Sequence, residues 1–83
     1  MEITLKLYAS LSQYLPENSK NHATKLSVSN TETAFSVLDK YHIPKESAHL
    51  VLLNGVYLEQ DERAKPNFSD GDVLAVWPPV AGG

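Results

Sequence analysis

One segment constrains this chain more than any other: "NTETAFSVLDKYHIP", residues 30–44, reads as its single long helix. Ala34, Val37, Leu38 and Tyr41 fall at i, i+3, i+4 and i+7, which aligns them in one apolar stripe. Thr31 or Thr33 can cap its start. Pro44 bars its continuation, because a proline disfavours helix in the residue before it. A lone amphipathic helix must bury its stripe, and one apolar sheet face is the economical way to cover it.

The strands are written in period two. "EITLKLY" sends Ile3, Leu5 and Leu7 to one face and Thr4, Lys6 and Tyr8 to the other, and "ATKLSVS" alternates through Leu26 and Val28 as its expected antiparallel partner. "HLVLLNGVYLEQ" is two strands about Asn54-Gly55, the strongest short-range hairpin signal. "FSDGDVLAVWPP" turns at Asp70-Gly71-Asp72 and ends in a strand from Val73 to Trp77. Between the first two strands, "SLSQYLP" spaces Leu11, Tyr14 and Leu15 for one or two helical turns, with Ser10 as N-cap and Pro16 as stop, and "ENSKNH" is polar loop. The order implies an α+β sandwich of one mixed sheet of about five strands, one main helix and one short helix. Its expected core is Ile3, Leu5, Leu7, Leu26, Val28, Val37, Leu38, Tyr41, Val51, Leu53, Leu58, Leu74 and Val76.

At 83 residues the chain is expected to form one domain, residues 1–77, followed by a flexible tail, residues 78–83. An apolar fraction of 42% with 20% charged residues excludes a disordered or collagen-like chain. The net charge is −3 and the seven Lys and Arg are scattered, so no basic stripe is available for a run of phosphates and no nucleic-acid partner is expected. The opening residues lack the features of a signal peptide, and no apolar run approaches the ~20 residues that span a bilayer. A cytoplasmic location and no membrane partner are the expectations. Cysteine is absent, which excludes disulfides, thiolate metal sites and a thiol nucleophile.

Leu50, Val51, Leu52 and Leu53 are apolar at every position, as are Val73 to Trp77, so half of each run must point away from the helix. The hairpin pairs Leu52 with Tyr57 and Val51 with Leu58, and cross-strand partners share a face. Val51, Leu53 and Leu58 are placed inward; Leu50, Leu52, Tyr57 and Tyr8 are placed outward. A second helix or loop would cover such a surplus, or it consists of scattered surface apolars. The sharper alternative is a contiguous partner-binding patch.

His22, His42 and His49 sit in or beside loops at spacings that suit no metal site, and they read as solvated or structural. No nucleophile elbow, Walker loop or dinucleotide fingerprint is present, and "EQDER" reads as a solvated loop.

The chain closes on "AVWPPVAGG". Pro78 and Pro79 lack N–H groups, so they end the last strand and stiffen an extended exit. The six residues from Pro78 to Gly83 reach at most ~20 Å past the sheet. Gly82 and Gly83 have no Cβ, so a narrow channel can admit them and the terminal carboxylate. A frayed end explains a diglycine equally well when it is taken alone.

In its context the tail carries a family resemblance. The chain resembles the MoaD/ThiS family of ubiquitin-like β-grasp sulfur carriers, closest to the small subunit of molybdopterin synthase. The likeness runs through "LKLYASL", "TAFSVLDKYHI", "LLNG" and, most specifically, "DGDVLAVWPPVAGG". It implies that the Gly83 carboxylate is adenylated, converted to a thiocarboxylate and used to donate sulfur to a pterin precursor in molybdenum cofactor biosynthesis. Pro78, Pro79, Val80, Ala81 and Gly82 would thread the tail into its partners, and Tyr8, Leu52, Tyr57, Ala75 and Trp77 would form the docking patch. Trp77 is placed outward on this resemblance.

The implied partners are a MoaE-like large synthase subunit, a MoeB-like ubiquitin-activating-type adenylyltransferase and a sulfur donor protein. The chain itself would be a non-catalytic co-substrate that binds no cofactor and no metal, with ATP used by the activating enzyme. Ala81 stands where the family often carries Ser or Thr, and Ser12 where a basic residue can help bind the synthase partner. Thiamine, tungsten-cofactor and tRNA-thiolation carriers, and a ubiquitin-like modifier conjugated to lysines, remain alternatives on the same fold.

Overall fold

A computed structural model of the chain describes residues 1–17 and 19–79. Five strands, β1 (Glu2–Leu7), β2 (Ala23–Ser27), β3 (Leu50–Leu53), β4 (Val56–Tyr57) and β5 (Val73–Trp77), form one mixed sheet in the order β2-β1-β5-β3-β4. β1 and β2 pair antiparallel from Glu2 opposite Ser27 to Lys6 opposite Ala23, as their alternation implies. β5 lies parallel to β1, with Leu5 opposite Leu74 and Leu7 opposite Val76, and antiparallel to β3, with Val51 opposite Val76. One α-helix, α1 (Ala34–Lys40), crosses between β2 and β3. This is the expected α+β arrangement.

The helix is shorter than the apolar spacing suggests, and its ends show why. Thr33 caps it: Thr33 Oγ1 accepts from the Ser36 amide at 3.0 Å, and Ser36 Oγ accepts from the Thr33 amide at 2.8 Å. At the other end His42 takes φ +62°, its amide donates to Asp39 O and the Ile43 amide donates back to Leu38 O. That paired closure ends the helix at Lys40, four residues before Pro44, and it places buried Ile43 beside Leu38 in the core.

The turn chemistry ties the hairpin to the start of β5. Asn54 and Gly55 both have positive φ, +51° and +83°, as a two-residue hairpin loop requires. The Asn54 side-chain amide donates to Asp72 Oδ1 at 2.9 Å and its carbonyl oxygen accepts from the Val73 amide at 2.8 Å. Asp70 Oδ1 accepts from the Glu2 amide, and the Gly71 amide donates to Glu2 O. "LNG" and "DGD" are thus two halves of one knot.

Ile3, Leu5, Leu7, Val28, Val37, Leu38, Val51, Leu58, Leu74 and Val76 are buried in one core, as expected. Leu26, Tyr41 and Leu53 pack on it but stay half-buried, because they lie on an edge strand, a helix end and a strand end. The core also takes in Leu11, Ala34, Ile43, Ala48 and Phe68. "SLSQYLP" forms a 3₁₀ turn over Ala9–Tyr14 rather than an α-helix, and the cap position is Tyr8, not Ser10. Ala9 enters this turn at φ +52°, and the turn starts two residues earlier than Ser10 as a cap implies.

"EQDER" is no solvated loop throughout. It carries a 3₁₀ turn, Glu62–Ala64, whose Arg63 is 0% exposed. The guanidinium donates to Leu58 O at 2.9 Å, Ala48 O at 3.1 Å, His49 O at 3.4 Å and Tyr57 Oη at 3.2 Å. A rigid fork of donors lets a buried cation be held by carbonyl dipoles, with no carboxylate partner among the described residues. Among those residues no helix is long and apolar enough to cross a membrane.

Candidate functional site

The face of the sheet turned away from α1 collects the outward residues of β1, β5, β3 and β4. Register places Leu50 beside Trp77, Leu52 beside Ala75, and Tyr57 beside Leu52. The Tyr8 amide donates to Val76 O, which carries Tyr8 past the end of β1 and alongside Trp77. The two rings stack at 4.4 Å between centroids with an interplanar angle of 6°. His22 stacks on the other side of Tyr8 at 5.4 Å and 28°. Offset ring pairs of this kind contribute about 0.5–1.5 kcal/mol beyond the area they bury.

Trp77 is turned away from the helix and half-buried, and its carbonyl accepts from the His49 amide at 2.9 Å. Tyr57 is 44% exposed, with its hydroxyl held from below by Arg63. Ala75 differs from expectation: although it lies on this face it is only 9% exposed, because Lys6 and Leu52 stand beside it on the neighbouring strands. It forms the floor of the patch rather than a contact point. Val56, 67% exposed at the hairpin, pairs with Leu53 and so lies on the opposite face, outside the patch.

Pro78 follows Trp77 without an N–H to offer, so the strand ladder stops there. Trp77, Pro78, Pro79 and Leu50 line a hollow of about 440 Å³ together with Ala9, Ser10 and His49. The exit of the tail and the aromatic patch are therefore one continuous surface. Val80, Ala81, Gly82 and Gly83 lie outside the described residues, as does Asn18.

Of the three histidines, His42 closes the helix, and the amide of His49 bonds Trp77. His22 belongs to the aromatic stack, which its spacing did not reveal. The signal was the pair Asn21-His22: both residues have positive φ, +55° and +60°, a tight reversal that swings His22 back toward Tyr8. Arg63 gave no signal, being one charge in a charged run. No group of three or more His, Asp or Glu is placed to hold a metal among the described residues.

The fold and this face define a ubiquitin-like β-grasp protein. Residues 1–82 match the family described as Mut7-C ubiquitin, and the chain belongs to that family. No curated protein matches it in sequence. Among solved structures, it is similar to the HVO 2177 protein of Haloferax volcanii, with a TM-score of 0.72 at 25% identity over 100% of this chain and 87% of that one. SAMP1 of the same organism gives 0.68 at 24%, covering 100% of both chains. A complex of subunits 1 and 2 of molybdopterin-converting factor from Helicobacter pylori 26695 contains a chain that gives 0.61 at 20%, again over 100% of both. These likenesses support the ubiquitin-like class without singling out the molybdopterin branch.

Proposed function

We propose that the chain is a ubiquitin-like sulfur carrier, a protein co-substrate whose reactive group is the Gly83 carboxylate. The observation that carries this reading is the continuity of an aromatic docking face with a proline-led exit and a sequence that ends in diglycine. Tyr8, Leu52, Tyr57 and Trp77 dock the partner over the floor made by Ala75, and residues 78–83 deliver the terminus.

A carboxylate resists nucleophiles because its charge is delocalised. Attack of the Gly83 carboxylate oxygen on the α-phosphorus of ATP expels pyrophosphate and leaves an acyl-adenylate. A hydrosulfide-level sulfur supplied by the donor then attacks the acyl carbon, AMP departs, and the terminus becomes a thiocarboxylate. No thiol of the carrier competes, since the chain has no cysteine. Sulfur donation to a pterin precursor, with a MoaE-like subunit as acceptor partner, is the branch this proposal favours. Its support is the double proline before the diglycine and the similarity to a molybdopterin-converting factor chain.

The test is intact mass after incubation with ATP, a MoeB-like enzyme and a sulfur donor, where exchange of one oxygen for sulfur through the acyl-adenylate adds about 16 Da. An unchanged mass with active enzyme would refute the carrier reading. A ubiquitin-like modifier is the second reading, favoured by the likeness to a ubiquitin-like protein of Caldiarchaeum subterraneum at a TM-score of 0.54.

A further inference from the structure

Tyr57 and Trp77 flank the docking face on β4 and β5, with β3 between them, so their strands run about 10 Å apart across the sheet. The two rings are held by different means. Trp77 is steadied by the ring of Tyr8 stacked on it at 4.4 Å. Tyr57 has no stacked ring partner among the described residues, and it stands on an edge strand of two residues, joined to the sheet only through Leu52 and Leu53. An exposed ring so placed would turn between rotamers.

Arg63 supplies what the stack does not. Its Nη2 donates to Tyr57 Oη at 3.2 Å, and its guanidinium carbon lies 5.5 Å from the centre of the Tyr57 ring, within cation–π reach. The rest of the fork is anchored: Nε donates to Leu58 O, Nη1 to Ala48 O and Nη2 to His49 O. The His49 amide in turn donates to Trp77 O at 2.9 Å. A run of hydrogen-bonded groups therefore leads from the Tyr57 hydroxyl through Arg63 and His49 to the backbone of Trp77. Arg63 is the only arginine in the chain, the six other cations being lysines. A fully buried cation is a costly way to hold a loop, because apolar residues of similar volume often serve as well. What an apolar residue cannot do is grip a hydroxyl at a fixed point.

We infer that Arg63 is a positioning residue for docking: it fixes the Tyr57 ring, in register with Trp77, in the orientation that a partner protein meets. A side chain ordered before the encounter loses no rotamer freedom on binding, so the partner gains the ring at lower entropic cost. This role rests on the reading of the face as the docking surface of a sulfur carrier.

The experiment compares Arg63→Lys with Tyr57→Phe in the whole chain, well below the Tm of each. Arg63→Lys keeps the charge but cannot reach the hydroxyl and the carbonyls together. The χ1 couplings of Tyr57 in the free chain should move from one rotamer toward averaged values, while those of Tyr14, outside this network, stay unchanged. Binding of the MoeB-like adenylyltransferase should weaken about two- to tenfold, the effect of freeing one side chain at an interface. An Arg63 that only held the fold together would lower stability and leave both readings of the folded protein where they are. Tyr57→Phe keeps the ring and loses the bond, so it should free the ring and weaken binding to a similar degree with the fold intact, and it carries the test if Arg63→Lys does not fold. In the double variant the two losses of binding should not add. Tyr57 couplings that stay fixed in either variant, or binding weakened by Tyr57→Phe but not by Arg63→Lys, would overturn the role of Arg63. An unaltered chain that fails to bind the enzyme would instead contradict the carrier reading, and the couplings would still decide what Arg63 does.

Discussion

The rings of Tyr8 and Trp77 lie 4.4 Å apart and within 6° of parallel, although 68 intervening residues separate them in sequence. The parallel pairing of β1 with β5 brings them together, since Leu7 is opposite Val76 and the next residue of each strand leaves on the same side. The first strand and the last thereby build one surface at the point where the chain exits the sheet.

Removing one ring should separate docking from folding. Trp77→Ala should cost the fold about 1.5–3 kcal/mol, the ring pair adding to the apolar area that a half-buried tryptophan takes from water. It should weaken binding to the activating enzyme by about 2 kcal/mol or more, because desolvated aromatics dominate interfaces. Urea unfolding and calorimetry on the same protein measure the two numbers. Collapse of the fold with Trp77→Ala would remove the patch from the account.

Arg63 bears on the fold as well. Its four acceptors tie the start of β3, the end of β4 and the ring of Tyr57, all from a fully buried position. Arg63→Ala leaves three carbonyl oxygens and a cavity, and should destabilise by about 3 kcal/mol. For a chain of this size that is a fall in Tm of roughly 10–20 °C. Arg63→Lys should recover only part of it, since a single ammonium cannot span the fork.

These two residues show how much of the protein was legible in its sequence. Trp77 and its neighbours declare their face by strand parity once the hairpin register is known, and Asn54-Gly55 declares that register. Ile3, Leu5, Leu7, Val51, Leu74 and Val76 follow the same rule, and Ala34, Val37 and Leu38 follow the helical period. Arg63 follows no periodicity: it is buried because carbonyls from two distant segments converge on it, a tertiary fact. His22 is similar, since a reversal at two positive-φ residues decides where its ring falls. Ala75 was assigned to the correct face, but its small side chain sinks between taller neighbours.

His42 sits at φ +62° where the helix closes, a conformation that costs a residue with a Cβ and costs glycine little. His42→Gly should therefore raise stability by about 0.5–1 kcal/mol in thermal or urea unfolding. Thr33→Ala, at the other end, should lower it by about 1 kcal/mol by removing the cap.

Glu32 carries the pH signal. Lys40 Nζ lies 2.7 Å from its carboxylate, and this hydrogen bond, joined by the Ser29 amide at 3.1 Å, holds its pKa below the ordinary 4.5. A folded-state pKa below the unfolded one stabilises the protein above pH 4.5, and the contribution is lost as pH falls through the lowered value. The pair is near the surface, so the amount is about 0.2–1 kcal/mol. In a carboxyl NMR titration, Lys40→Ala should move the Glu32 midpoint upward; an unmoved midpoint would contradict the assignment.

Gly82→Val tests the threading of the tail. It should leave stability within about 0.5 kcal/mol and should block sulfur loading by filling the channel that a glycine can enter. Deleting Gly83 should abolish loading while binding through Trp77 and Tyr57 persists. Normal loading of either variant would show that the terminus is not the reacting group.

The central claim is that Gly83 carries sulfur, and the most direct measurement is mass spectrometry of the chain recovered from cells. The account predicts that the chain is chiefly free, with a fraction about 16 Da heavier that maps to the C-terminal peptide as a thiocarboxylate formed by acyl activation. A chain found mainly in isopeptide bonds from Gly83 to lysines of other proteins, with no thiocarboxylate, would contradict it.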